Sequence, residues 1–360
     1  MIITSNLTHK GEQPMKRLTS AVLTLGLIAV SSLSFAAGNT LNVLGQPLAT
    51  GLIQKNKEQP FFENFAKNTG LDIDANYKPI DVTGLKSEET LRVLKNGLFD
   101  IVSIRTAQAA RDEVFLLGQD LVGLNPDYKT ARKVYEAYKP HFAARIKEKF
   151  DAQLLGLWPF GPQVLFCKPE ISGLDGIKGK KVRVYDQSLS QFVESLGATP
   201  VPIGFSEVQQ ALARGVADCA ITGASSANSA GWPEVTEYFM PIGSQIGFNG
   251  YAMNMKSWNK LSAEEQGKLQ AAFDTLVADI WVYSEEIFED ALRCNVGEEP
   301  CTTVTKYDMK PVPVSQEDLA KVAEAVRTIS FPAWSKTCEK SYPGCTDKWK
   351  EILGPMTGIK

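Results

Sequence analysis

Apolar and polar positions along this chain switch repeatedly between a period of two and a period near 3.6. Leu41 to Leu44 reads as a strand. Pro60 opens a predicted helix with Phe61, Phe62, Phe65 and Ala66 on one face, and Gly70 stops it. Leu71 to Tyr77 alternates apolar with polar residues, as a half-buried strand does. Ser87 is placed to cap a helix that turns Leu91 and Leu94 inward before Gly97, and Phe99 to Ile104 is the next strand. The same grammar returns further on: Lys181 to Tyr185 as a strand, Ser190 to Leu196 as a helix, Thr199 to Pro202 as an extended piece. Ser206-x-x-Gln209 has the form of a capping box for a helix carrying Val208, Ala211 and Leu212 inward, followed by a strand over Val216 to Ile221. This alternation predicts an α/β fold with helices on both faces of its sheets.

Ser262 to Arg293 breaks the rhythm. Leu269, Phe273, Leu276, Ile280, Tyr283 and Phe288 recur at helical spacing with only Gly267 as an interruption. Such a helix reaches roughly 45 Å at 1.5 Å per residue, enough to lie across two lobes. Another amphipathic helix is expected near Gln316 to Ile329. With 360 residues the chain exceeds what one hydrophobic core usually supports, so two lobes are expected.

The N-terminal stretch changes the compartment. Met15-Lys16-Arg17, an apolar run from Leu18 to Leu33 and Ser34-Phe35-Ala36 form the three parts of an export signal, so residues 1–36 are read as a leader and the remainder as periplasmic. The polar residues ahead of Met15 leave the start open between Met1 and Met15, and an uncleaved anchor is the rival reading. An oxidising compartment makes Cys294–Cys301 and Cys338–Cys345 candidate loop-closing disulfides, with a zinc site as the alternative. Cys167 and Cys219, flanked by apolar residues, are expected to be buried thiols. A net charge of −3 argues against a nucleic-acid partner. Histidine is limited to His9 and His141, and no nucleophile elbow, metal-ligand spacing or phosphate loop is present, which argues against an enzyme.

The segment Leu174-Asp175-Gly176-Ile177-Lys178-Gly179-Lys180-Lys181-Val182-Arg183-Val184 precedes Leu196-Gly197-Ala198-Thr199-Pro200-Val201-Pro202, Ser206-Glu207-Val208 and Ala211-Leu212-Ala213-Arg214-Gly215-Val216-Ala217-Asp218. In that order these pieces resemble the solute-binding proteins of TRAP transporters, as does Gly97-x-Phe99-Asp100. The resemblance implies a two-lobed periplasmic binding protein of type II-like α/β architecture, with the long helix spanning both lobes. Its expected limits are 37–160 plus about 248–285 for lobe I, and 161–247 plus about 286–360 for lobe II with a disulfide-pinned tail. It further implies a small organic carboxylate as ligand, the small and large membrane subunits of a TRAP transporter as partners, a monomer, and no cofactor.

Arg183 matches the family arginine that grips the ligand carboxylate, a role suited to a planar guanidinium. Where some members carry a second arginine, this chain has Gln163, and Thr222 stands where an amide is frequent. One guanidinium among hydroxyl and amide neighbours suits a monocarboxylate. Ser225 offers a small donor nearby, and Trp158, Phe160, Tyr185, Trp232 and Phe248 offer flat apolar walls. The expected ligand is therefore an aromatic or hydrophobic monocarboxylate, with four-carbon dicarboxylates and sugar acids as alternatives. A periplasmic sensor of such a ligand is the rival function.

Overall fold

The computed structural model describes residues 39–48 and 51–360, so the expected leader lies outside the described residues. In chain order the strands are β1 (Asn39–Gly45), β2 (Ile73–Pro79), β3 (Ile101–Arg105), β4 (Ala152–Cys167), β5 (Lys181–Val184), β6 (Thr199–Pro202), β7 (Cys219–Gly223), β8 (Tyr238–Met240), β9 (Ile246–Asn254) and β10 (Lys310–Pro311). Their pairing runs β2-β1-β3-β9-β4-β7-β5-β6, with β8 on β4 and β10 on β8. β1 is parallel to β2 and β3, whereas β9 is antiparallel to β3 and β4. On the other side β4 is antiparallel to β7, and β7, β5 and β6 are mutually parallel.

β4 joins the two halves of this network. Ala152 to Pro159 pairs with β9, and Gln163 to Cys167 pairs with β7 and β8, with an irregularity between Pro159 and Pro162. Nearly every residue of β4 is buried, as expected for a strand covered on both faces. Gly161, at the changeover, has φ +97°, a conformation that disfavours any side chain, and a Cβ there would meet Tyr128 Oη at 3.2 Å.

Among the described residues thirteen α-helices flank the sheet: α1 (Gln59–Glu63), α2 (Phe65–Thr69), α3 (Thr90–Lys95), α4 (Thr106–Ala109), α5 (Tyr128–Phe150), α6 (Gln187–Ser195), α7 (Val208–Ala213), α8 (Ala224–Ser229), α9 (Met255–Trp258), α10 (Ala263–Asn295), α11 (Gln316–Ala325), α12 (Phe331–Ser341) and α13 (Cys345–Thr357). The first helix begins before Pro60, because helical turns from Leu52 pass through a wide π-type segment, Gln54–Glu58, into α1. Proline has no N–H to give, and a widened turn is where that loss is most easily absorbed. Ser87 and Ser206 do not cap. The carboxylate of Glu89 accepts from Lys86 N instead, and α7 follows a short 3-10 turn, Phe205–Glu207. α10 starts with a full capping box, in which Ser262 Oγ accepts from Glu265 N while Glu265 Oε2 accepts from Ser262 N.

α10 has 33 residues, or roughly 50 Å, and bridges both halves. Leu269, Phe273, Leu276 and Ile280 pack in the core of β1, β3, β4 and β9. Ala291 lies in a second core with Val164, Phe166, Val208 and Trp232. A third cluster, including Val182, Val184, Leu189 and Phe192, covers the opposite face of β5 and β7. The tail divides between the halves. α11 places Val322 and Ala325 in that third cluster, but Phe331, Trp334, Trp349 and Leu353 of α12 and α13 pack in the first core. Their indoles anchor them there, Trp334 Nε1 donating to Val114 O at 2.8 Å and Trp349 Nε1 to Gly118 O at 2.7 Å. The sequence reading had put this whole tail with lobe II.

Both expected disulfides are present, Cys294–Cys301 and Cys338–Cys345. Cys167 and Cys219 are not thiols but a third disulfide. They are opposed residues on paired strands β4 and β7, which brings their Cα atoms within 4.0 Å.

Candidate functional site

A cavity of about 320 Å³ lies where β4 passes between the halves. It collects the carboxyl ends of strands from both: Arg105 ends β3, Arg183 and Val184 end β5, and Thr222 lies near the end of β7. Ligands of open α/β sheets characteristically occupy that edge.

Arg183 is buried at 2% exposure. Its Nε donates to Ile203 O and its Nη1 to Ile221 O, both at 3.0 Å. Two of its five N–H groups are thus used to orient the guanidinium. Tyr185, Phe205 and Trp232 surround it, with ring centres 5.6–6.0 Å from its central carbon. Burial first, and the nearby Arg105 charge as well, pull its pKa down to about 10, so it remains cationic at neutral pH.

Arg105 is the second guanidinium, and the sequence reading missed it. Its Nε donates to Gln46 Oε1 at 3.2 Å, its Nη2 is buried without a partner, and its central carbon lies 5.7 Å from the Phe160 ring centre. Gln46 also donates from Nε2 to Asn249 Oδ1 at 3.1 Å, and its backbone N–H is held by the buried Glu58 carboxylate at 2.8 Å. One side chain following β1 therefore fixes two cavity residues. Arg105 was detectable as a cation directly following the predicted strand Phe99 to Ile104, at a carboxyl end. Its presence removes the premise that the cleft has a single guanidinium.

Asp120, Asn249, Phe205 and Glu88 also line the cavity without having been singled out from sequence. Of the residues that were, Arg183, Gln163, Thr222, Tyr185, Phe160 and Phe248 line it. Gln163 Nε2 is turned toward Gly161 O at 2.8 Å. Trp158 is not among the lining residues. It sits two positions up β4 from Phe160 and is fully buried in the first core, against Phe160 and Tyr251. Ser225, buried in α8, also does not line the cavity, and Trp232 backs Arg183 from behind. Next in sequence to the lining residue Tyr185, Asp186 caps α6 through Leu189 N and accepts from Gln245 Nε2, and burial pushes its pKa up to about 6. No cluster of metal-ligating side chains occurs among the described residues, and none of their helices is long and apolar enough to cross a membrane.

Comparison with known proteins places this geometry. The chain is 27% identical over 211 residues to a solute-binding protein of Roseobacter denitrificans, covering 56% of this chain and 64% of the relative. It is 27% identical over 195 residues to the C4-dicarboxylate-binding periplasmic protein DctP of Rhodobacter capsulatus, covering 52% and 57%. The matches thus span less than two thirds of either relative. The fold matches that of DctP6, a Bordetella pertussis extracytoplasmic solute receptor binding pyroglutamic acid, with a TM-score of 0.75, 20% identity, and coverage of 87% of this chain and 100% of that one. The family model of the bacterial extracellular solute-binding proteins, family 7 (DctP), matches residues 58–329, which hold both arginines, strands β2 to β10 and helices α1 to α11, and the chain belongs to that family.

Proposed function

We propose that the protein is an extracytoplasmic receptor that binds one small organic carboxylate between its lobes and hands it to the small and large membrane subunits of a TRAP transporter. The observation that carries this reading is Arg183: a buried cation, oriented by two carbonyls, with no ion pair among the described residues. Leaving such a charge unpaired in a dry site is unfavourable, and a carboxylate on its open edge corrects that. The receptor performs no chemistry. A hinge at Phe160–Pro162, where β4 changes partners, lets the two halves close over the ligand.

Phe160, Tyr185, Phe205 and Phe248 support a flat or otherwise apolar acid. Arg105 adds a place for a second acceptor oxygen. It equally favours a second reading, a short dicarboxylate gripped at both ends, the ligand class named for the Rhodobacter relative.

A thermal-shift panel of aromatic acids, cyclic acids, dicarboxylates and sugar acids tests this. At 100 times the dissociation constant, a ligand adds about 2.7 kcal/mol of stability, a shift of several degrees. Arg183→Ala abolishes the shift if the reading is right. A hit that survives Arg183→Ala, or a panel without any carboxylate hit, overturns it.

A further inference from the structure

The cavity displays a pattern of unsatisfied polar atoms. Arg105 Nη2 and Asn249 Nδ2 are buried donors without partners, and Asp120 Oδ1 is a buried acceptor without one. Asp120 is 0% exposed, so no bulk water serves that oxygen. Resting on the carboxylate receptor proposed above, we infer that the bound acid also carries an N–H or O–H group which it donates to Asp120 Oδ1, making Asp120 a specificity-determining residue of the cleft.

A carboxylate opposite an anionic ligand would ordinarily repel it. The surroundings of Asp120 Oδ2 remove that objection. Thr106 Oγ1 lies in hydrogen-bond contact with both Asp120 Oδ2 and Phe248 O, the latter at 2.6 Å. A hydroxyl has one hydrogen and cannot donate to both. Asp120 Oδ2 also accepts from Phe248 N at 3.2 Å. All three contacts are satisfied when Asp120 carries a proton on Oδ2 and gives it to Thr106 Oγ1, Thr106 gives its own to Phe248 O, and a remaining lone pair of Oδ2 takes the Phe248 N–H. Burial, the largest influence, raises the Asp120 pKa and the nearby Asp186 charge adds to it, against the smaller lowering effects of the Thr106 and Phe248 N contacts. In that state Asp120 is neutral, and Oδ1, the carbonyl-type oxygen, remains an acceptor without a partner on a cavity residue.

The complementary ligand therefore has three features: a carboxylate for Arg183, an acceptor oxygen for Arg105 and Asn249, and a donor for Asp120. Lactam and α-hydroxy acids have all three. An acid that lacks the donor leaves a buried acceptor unpaired, and such sites discriminate strongly.

The test compares matched acids by calorimetry on the whole purified protein: pyroglutamate against its ring-oxygen lactone analogue, and mandelate against O-methylmandelate. The expected result is at least about tenfold tighter binding of the donor-bearing member. Asp120→Ala is expected to erase that preference with little change for the donor-free member. Asp120→Asn, which mimics the neutral acid, is expected to keep it. A selectivity ratio is independent of the fraction folded, and the wild-type comparison stands if Asp120→Ala does not fold. Equal binding within both pairs, or a preference that survives Asp120→Ala, overturns the inference and leaves the carboxylate receptor standing. Failure of all four acids to bind while Arg183→Ala changes nothing overturns that receptor reading, and this inference with it.

Discussion

Arg105 and Arg183 enter one cavity from opposite halves of the fold, and Arg183 feels the charge of Arg105. Two guanidiniums facing a partly desolvated space are mutually unfavourable, and on the function proposed above the arrival of an anion removes that electrostatic cost. Their separate substitution distinguishes their roles. Arg183→Ala weakens a carboxylate by at least about a hundredfold, the loss of roughly 2.7 kcal/mol. Arg105→Gln weakens the ligand less, and changes the stability of the ligand-free protein little, because relief of the repulsion with Arg183 is offset by loss of the attraction to Glu58. Melting temperatures with and without ligand check both; a large drop for empty Arg105→Gln contradicts the account.

The three disulfides differ in the loops they close. Cys167 and Cys219 are 52 residues apart, whereas each of the other pairs is separated by 7. On the chain-entropy model the long loop is worth about 4 kcal/mol and a short one about 2.5 kcal/mol. Paired Cys→Ala variants, compared by urea unfolding, are expected to rank in that order.

Asp186 gives a pH dependence with a definite sign. Its folded pKa is pushed up to about 6 by burial, from the ordinary 3.8 of an aspartate, against the opposing effects of Leu189 N, Gln245, Ser188 N and Arg183. The folded state therefore holds this proton more tightly than the unfolded chain does. Its contribution is fully present below about pH 4 and is lost as the pH rises through about 6. Asp186→Asn keeps an acceptor for the α6 cap, so its stability relative to wild type is expected to rise between pH 4 and pH 7. A constant difference across that range counts against the assignment.

Where α10 crosses β4, Gly156 leaves no room for a side chain: a Cβ would come within 2.6 Å of Val277 Cγ2. Gly156→Val is expected to cost about 1–3 kcal/mol by forcing helix and strand apart. Pairing it with Val277→Ala recovers part of the loss if that contact is the cause, which a double-mutant cycle reads directly.

Most elements were legible because local pattern governs them. The alternation of Leu71 to Tyr77 reappears in the alternating burial of β2, and the periodic apolar face of α10 is the one that packs. Helix starts were less legible, since Ser87 and Ser206 compete with Glu89 and with 3-10 turns for the same N–H groups. Arg183 was readable from its motif. Arg105 shows only as a cation after a predicted strand and Asp120 not at all, because nothing in their immediate sequence says that β3 and the loop before α5 open onto the same space as β5. The Cys167–Cys219 bond was hidden for the same reason: it depends on β4 and β7 becoming neighbours.

The divided tail has a mechanical consequence. β4 and α10 each run from one half to the other, and α11 to α13 make a further crossing, tied by Ser330 Oγ to Val122 O at 2.8 Å and by the two indoles. Two bodies joined by several separate struts cannot slide past or swivel about one another. On the closure proposed above they fold along a line that the struts share, and the mouth of the cleft is expected to open and shut through one arc, its amplitude limited by the stiffness of those connections.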